Sequence, residues 1–197
     1  MAFAHSPAVA GNPICRFPVE MFKAASGSVL PNIENGESLV IKCWDHARFG
    51  AVPLGEKITI DALTPKPERG DLVAFYTNDR STYLKRVVGL PGDLVSIKNG
   101  VLLLNGEAVK QVRAGSFMLI ENGGQSEYKR FTETMLSGKS YDIITAGHTS
   151  SFVATGPVPP DHLFVLGDNR DNSLDSCMPD KIGFVSVKAL IGYQVTE

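Results

Sequence analysis

The sequence has little that points to a metal, a nucleic acid or a membrane span. It contains only three cysteines, Cys15, Cys43 and Cys177, and no CxxC pair, so neither a zinc site nor a dithiol redox motif is indicated. One disulfide among them and three free thiols are both open. The four histidines lie far apart, with no HExxH, so no metal or other cofactor is expected. Neither sign of charge dominates: a net charge of -2 offers no electrostatic basis for binding nucleic acid, and no block of like charge forms a tail. No run approaches the ~18 apolar residues of a membrane-spanning helix. The opening, MAFAHSPAVAGNPICRF, lacks a basic start and is interrupted by His5, Pro7 and Gly11, which makes it a poor signal peptide. The chain as it stands is expected to be soluble. Helical periodicity is weak throughout, the best stretch being a turn or two around residues 16–25.

What is present is β pattern. A chain of 197 residues, 43% hydrophobic and 20% charged, is long enough for one good core with a smaller subdomain inserted in it. Short β-rich runs occur at ESLVIKCW (37–44), DLVAFY (71–76), RVVGLPGDLVSIKNGVLLLNGEAV (86–109), HLFVLG (162–167) and FVSVKALIGYQV (184–195). Asn99-Gly100 and Asn105-Gly106, each with apolar residues on both sides, read as tight hairpin turns. Residues 110–156 are richer in Ser, Thr, Gly and charge and have shorter apolar runs; Pro157, Pro159 and Pro160 mark the return of dense β pattern. The expected organisation is mostly β: a partly irregular N-terminal segment (1–23), a core of antiparallel sheets (24–109 and 157–197), and a small inserted β subdomain (110–156).

Three stretches carry chemistry. In STYLKRVVGLPGD (81–93), a period of two puts Tyr83, Lys85 and Val87 on one face and Leu84, Arg86 and Val88 on the other. Each cation therefore has apolar neighbours on its own side, unlike a solvated strand, which gathers its charges on one face. Lys85 is either a surface lysine that blunts an edge strand or a buried amine that has lost its proton and serves as a base. In ASGSVLPNIENGESLVI (25–41), the serines read either as turn hydroxyls capping backbone groups or as a nucleophile on a tight loop where Gly27 allows close approach. LGDNRDNSLDS (166–176) reads alone as a solvated Asp/Asn turn; it lacks the glycine and terminal glutamate spacing of a calcium loop. No histidine sits near a nucleophile motif, and the SxxK match at SEYK (126–129) has no accompanying SDN or KTG.

In this order, the stretches resemble the type I signal peptidases, the leader peptidases of bacteria. SGSVLPNIENGESLVI resembles the nucleophile box of that family, RGDLVAF (69–75) its Gly-Asp strand, YLKRVVGLPGD its lysine box, and GDNRDNSLDS its C-terminal signature. TETMLSG (132–138) is similar to part of the subdomain inserted in the Gram-negative enzymes. The resemblance runs from residue 24 to about residue 192.

It implies a Ser-Lys dyad with Ser28 as nucleophile and Lys85 as general base, a recognised variant of the triad logic. Only a neutral amine can take the serine proton, so the lysine must be desolvated among apolar groups. Position by position, the resemblance also implies that Ser26 joins the Ser28 N–H in an oxyanion hole, that Ser173 orients the lysine amine, and that Arg86 and Asp168 form a structural ion pair. Substrate would lie as an added strand between residues 24–28 and 82–85. Ala24, Val29 and Leu84 would line small pockets, so that Ala-X-Ala sites are preferred.

Three positions depart from the pattern. Val29 stands for the usual Met and Asn32 for the usual Thr, changes that bear on a substrate pocket, and Cys177 stands for an arginine that pairs with the aspartate at Asp175. The family's catalytic domain is held at the outer, periplasmic face of the inner membrane. A trimmed domain, a soluble homologue and a specialised peptidase of a secretion or conjugation system all remain open. The expected function is that of a cofactor-independent serine endopeptidase acting on the signal peptides of exported preproteins, with the membrane surface and not nucleic acid as its other partner. The alternative is a non-catalytic relative that assembles pili or a secretion machine. A self-cleaving repressor of the LexA type would need a helix-turn-helix, which the first 24 residues are too few and too proline-rich to supply.

Overall fold

The computed structural model describes residues 19–43, 66–77, 79, 81–121, 124–147 and 151–194, with the side chains of 19, 20 and 121 left aside. Most of the expected N-terminal segment, Cys15 and the outer ends of the 37–44 and 184–195 runs lie outside the described residues.

The regular structure of the described residues is almost entirely strand: β1 (Val19–Lys23), β2 (Ser38–Cys43), β3 (Leu72–Tyr76), β4 (Thr82–Gly89), β5 (Val95–Lys98), β6 (Val101–Leu104), β7 (Glu107–Ala108), β8 (Lys110–Glu121), β9 (Gly124–Thr134), β10 (Ser140–Thr145), β11 (Phe152–Val153), β12 (His162–Leu166), β13 (Val185–Ser186) and β14 (Leu190–Gln194). Single 3-10 turns span Gly27–Val29 and Val187–Ala189. Among the described residues no helix is long and apolar enough to cross a membrane.

A seven-stranded sheet has the order β1-β2-β14-β3-β4-β12-β13. β4 pairs antiparallel with β3 on one side and with β12 on the other. It is an interior strand, and it feeds all three apolar clusters of the core: Leu84 packs with Leu39, Ile41 and Leu72, Val88 with Leu102 and Ile143, and Val87 with Phe75 and Leu163. This position buries both cations of the strand, Lys85 at 0% exposure and Arg86 at 7%. Every residue of β4 is buried except Tyr83, which is half-buried.

The helical turn expected around residues 16–25 is corrected. Val19–Lys23 is a strand, paired with β2 from Val19↔Lys42 to Lys23↔Ser38. The partner that supplies its hydrogen bonds is distant in sequence, and such pairing overrides a weak local preference.

Both Asn-Gly pairs make the expected turns, with φ of 51° and 78° at Asn99-Gly100 and 54° and 86° at Asn105-Gly106. Two consecutive positive φ values match the twist of a two-residue hairpin. The strands they join form the sheet β11-β5-β6-β7. The third sheet, β10-β9-β8, is a long β8–β9 ribbon against which β10 pairs only at residues 129–134 of β9. Cys43 is disulfide-bonded and Cys177 is a free thiol.

Candidate active site

The 3-10 turn Gly27–Val29 lies against β4 and brings Ser28 to Lys85, whose Nζ donates to Ser28 Oγ at 2.6 Å. Ser28 is 6% exposed. Burial pushes the lysine pKa down from 10.5 to about 8, against the opposing fields of Asp175 and then Asp168. The Tyr83 ring centroid is 5.7 Å from Nζ. A buried amine with this pKa is substantially neutral at mildly alkaline pH and within reach of a hydroxyl proton.

Ser26 caps the turn. Its Oγ accepts from the Ser28 N–H at a long 3.5 Å and donates to Ser28 Oγ at 3.3 Å. The two readings of this serine therefore coincide, since the hydroxyl that caps the turn stands beside the candidate nucleophile and its N–H.

The turn is held from the opposite side by Asn169, whose N–H donates to the Ser28 carbonyl at 3.1 Å and whose Nδ2 donates to the Gly27 carbonyl at 3.2 Å. Gly167 makes this approach possible: a Cβ there would lie 2.7 Å from the Ser28 carbonyl oxygen and would collide with Ser173 Oγ. Ser173 Oγ is buried beside Gly167 without a hydrogen-bond partner, so the structure contains no bond between it and Lys85.

Arg86 and Asp168 meet in a two-pronged ion pair, Nε to Oδ1 at 3.0 Å and Nη2 to Oδ2 at 2.5 Å. Arg86 also donates to the Gly70 carbonyl at 2.8 Å and lies 4.3 Å from the Tyr141 ring centroid. Ala24, Val29 and Leu84 are brought together in one buried apolar cluster beside the dyad. Asn32 turns its amide toward Asp168 and β10, donating to Asp168 Oδ2 at 2.7 Å.

At Asp175, beside Cys177, backbone groups supply the donors. The carboxylate accepts from the N–H groups of Gly167 and Cys177, both at 3.1 Å. The Cys177 thiol is pushed up by burial and then by Asp175, and is therefore protonated. Cys177 lines a cavity of about 250 Å3 together with Ile97, Phe152, Ser173, Asp175 and Met178.

Sequence reasoning assigned no role to Asn169, although it lies inside the GDNRDNSLDS box. It also missed the ion pair of Glu133 with Arg170, in which Arg170 Nη1 donates to Oε1 at 2.8 Å and Tyr141 Oη donates to Oε2 at 3.0 Å. That cluster ties the β8–β9 ribbon to the signature loop. A glutamate in TETM and an arginine in GDNRD show nothing locally of their pairing.

Known proteins bear out the resemblance. The family described as "Signal peptidase, peptidase S26" matches residues 4–196. Signal peptidase I of Bacillus caldolyticus is 31% identical over 168 residues, 84% of this chain and 71% of the relative. Signal peptidase I of Rickettsia typhi is 36% identical over 137 residues, 64% of this chain and 50% of the relative, and that of Pseudomonas fluorescens is 33% identical over 165 residues, 81% and 55%. A crystal structure of a signal peptidase I from Enterococcus faecalis aligns at a TM-score of 0.41 and 25% identity, covering 67% of this chain and 98% of that one. The chain spans about half the length of several of the curated relatives it matches. With its match running nearly from end to end, this chain belongs to the signal peptidase family, peptidase S26.

Proposed function

We propose that this protein is a serine endopeptidase that removes signal peptides from exported preproteins, with Ser28 as nucleophile and Lys85 as general base. The observation that carries the reading is the 2.6 Å approach of a fully buried amine to a serine hydroxyl on a capped turn. Lys85 Nζ in its neutral form takes the Ser28 proton as Oγ attacks the scissile carbonyl. The resulting ammonium returns a proton to the departing amine, leaving an acyl-serine. A water that gives its proton to Lys85 then hydrolyses the ester. The Ser28 N–H and the Ser26 hydroxyl are the donors for the developing oxyanion.

Substrate enters as an extended strand, and the small, buried Ala24 with Val29 and Leu84 favours Ala-X-Ala ends. The site of action is the periplasmic face of the inner membrane; the disulfide at Cys43 supports an oxidising compartment. The intact serine and lysine disfavour a non-catalytic assembly role. Incubation with a preprotein bearing an Ala-X-Ala site, followed by mass spectrometry of the product, tests the reading. A single cut after the second alanine is expected, with none by Ser28→Ala. An uncut preprotein, or equal cutting by Ser28→Ala, overturns it.

A further inference from the structure

Besides the Glu133–Arg170 pair on β9, the inserted sheet reaches the site through the main chain of β10. On β10, the Ile144 N–H donates to the Asp168 carbonyl and the Ile144 carbonyl accepts from the Arg170 N–H, both at 3.0 Å. Two residues earlier on the same strand, Asp142 meets the nucleophile loop. The Asn32 Nδ2 donates to the Asp142 carbonyl at 2.6 Å, and the Asn32 Oδ1 accepts from the Asp142 N–H at 3.3 Å. The same Nδ2 donates to Asp168 Oδ2. One strand edge thus holds both the signature loop and the loop bearing Ser28, and the Asn32 side chain is the joint between them. Asn32 is exposed as a residue, yet its amide reaches a carboxylate that is 0% exposed.

We infer that Asn32 is a positioning residue for the Ser28–Lys85 pair, its amide fixing the nucleophile loop to β10 and to the Asp168 carboxylate. The inference rests on the peptidase reading and deepens it. A threonine at this position, shorter by one atom, does not offer a planar amide that donates and accepts across a strand edge. In this chain the amide does so, and it places the turn whose Ser28 must stand within hydrogen-bond reach of Lys85. Through its bond to Asp168 it also touches one of the two carboxylates in the charge balance around the lysine. The groups in that balance are Asp168 and Asp175 from the signature loop, Arg86 on β4, and Tyr141 and Arg170, both of which interact with Asp168.

The test compares wild type, Asn32→Leu and Asn32→Asp. Preprotein cleavage is followed across pH, with thermal unfolding and the titration of Lys85 by NMR in protein carrying 13C at lysine Cε. Asn32→Leu has the same number of side-chain heavy atoms, branched at the same carbon, and removes both ends of the joint; kcat is expected to fall about 10-fold with KM within about twofold, since a small misplacement of reacting groups is costly in rate. Asn32→Asp keeps the acceptor for the Asp142 N–H but replaces the donor by a charge beside Asp168. Both the Lys85 midpoint and the pH limb of kcat/KM are expected to move upward. Wild-type kcat and an unmoved Lys85 midpoint in both variants overturn the inference. So does a loss of kcat that tracks a large fall in Tm with an unmoved midpoint, because that marks general support of the fold. If wild type leaves the preprotein uncut while the neutral Asn32→Leu moves the Lys85 midpoint, the peptidase reading fails and the positioning of Asn32 stands.

Discussion

Lys85 Nζ reaches Ser28 Oγ at 2.6 Å from a strand 57 positions further along the chain. The hydroxyl comes from a short capped turn and the amine from the interior of a seven-stranded sheet, so both ends of the contact are fixed by packing. Burial of Lys85 within the sheet lowers its pKa to about 8, so the amine sheds its proton at mildly alkaline pH, and the two carboxylates whose fields oppose this have other partners.

The two residues are expected to act as a unit. Ser28→Ala and Lys85→Ala should each remove nearly all turnover, and the double variant should be little slower than either. Single-turnover cleavage assays check this. Independent, multiplying losses in the double variant would show that Lys85 acts on some step other than activation of Ser28.

Ser26→Ala tests the oxyanion donor. The hydroxyl accepts from the Ser28 N–H at 3.5 Å and caps the turn. Its loss should lower kcat by roughly 10²–10³, the usual cost of one donor, with a smaller effect on KM. An unchanged kcat would limit Ser26 to its capping role.

Asp175 is the larger of the two fields that hold the Lys85 pKa up. Cys177→Arg restores a cation beside it and has the cavity of about 250 Å3 to occupy. The variant should keep or raise Tm and move the alkaline limb of kcat/KM to lower pH, because part of the Asp175 field is neutralised. A less stable variant with an unmoved limb would identify Cys177 as a small buried apolar residue that packs the site.

Glu133 is 0% exposed and accepts from Arg170, Tyr141 and Gln111. Glu133→Leu leaves the Arg170 charge buried and unpaired, which should cost about 3–5 kcal/mol in urea unfolding. A loss below about 1 kcal/mol would place the pair among weakly contributing surface bridges.

Much of the core was legible in the sequence because its strands alternate or are wholly apolar between turn residues. The Asn99-Gly100 and Asn105-Gly106 turns were legible because asparagine and glycine tolerate positive φ. The β8–β9 ribbon was not, since residues such as Val112, Met118 and Ile120 are exposed on it and no buried face imposes a period of two. β1 was misread because its partner strand is remote. At the site, Ser28, Lys85, Arg86 and Asp168 were marked by residue type within recognisable boxes. Asn169 and Asn32 act through bonds to main-chain groups of distant segments, which residue type alone does not reveal. The donors to Asp175 are backbone N–H groups, which every sequence contains.

The protonation state of Lys85 decides whether Ser28 is activated, and the pH dependence of kcat/KM reads it directly. An unperturbed lysine, with a pKa near 10.4, is well under ~1% neutral at pH 8, whereas burial brings Lys85 to about 8. Because the folded pKa lies below the unfolded one, the unfolded chain binds more protons between about 8 and 10.5. The stability cost of burying Lys85 is therefore complete below about 8 and is relieved as pH rises toward 10.5. At about 1.4 kcal/mol per unit, that cost is on the order of 3 kcal/mol, so Lys85→Met should be inactive and at least as stable as wild type at neutral pH. For wild type, kcat/KM should rise with pH through a single limb near 8. A limb near 6.5 or above 10 would contradict the account, because it would place the proton acceptor on a histidine or on an ordinary, solvated lysine.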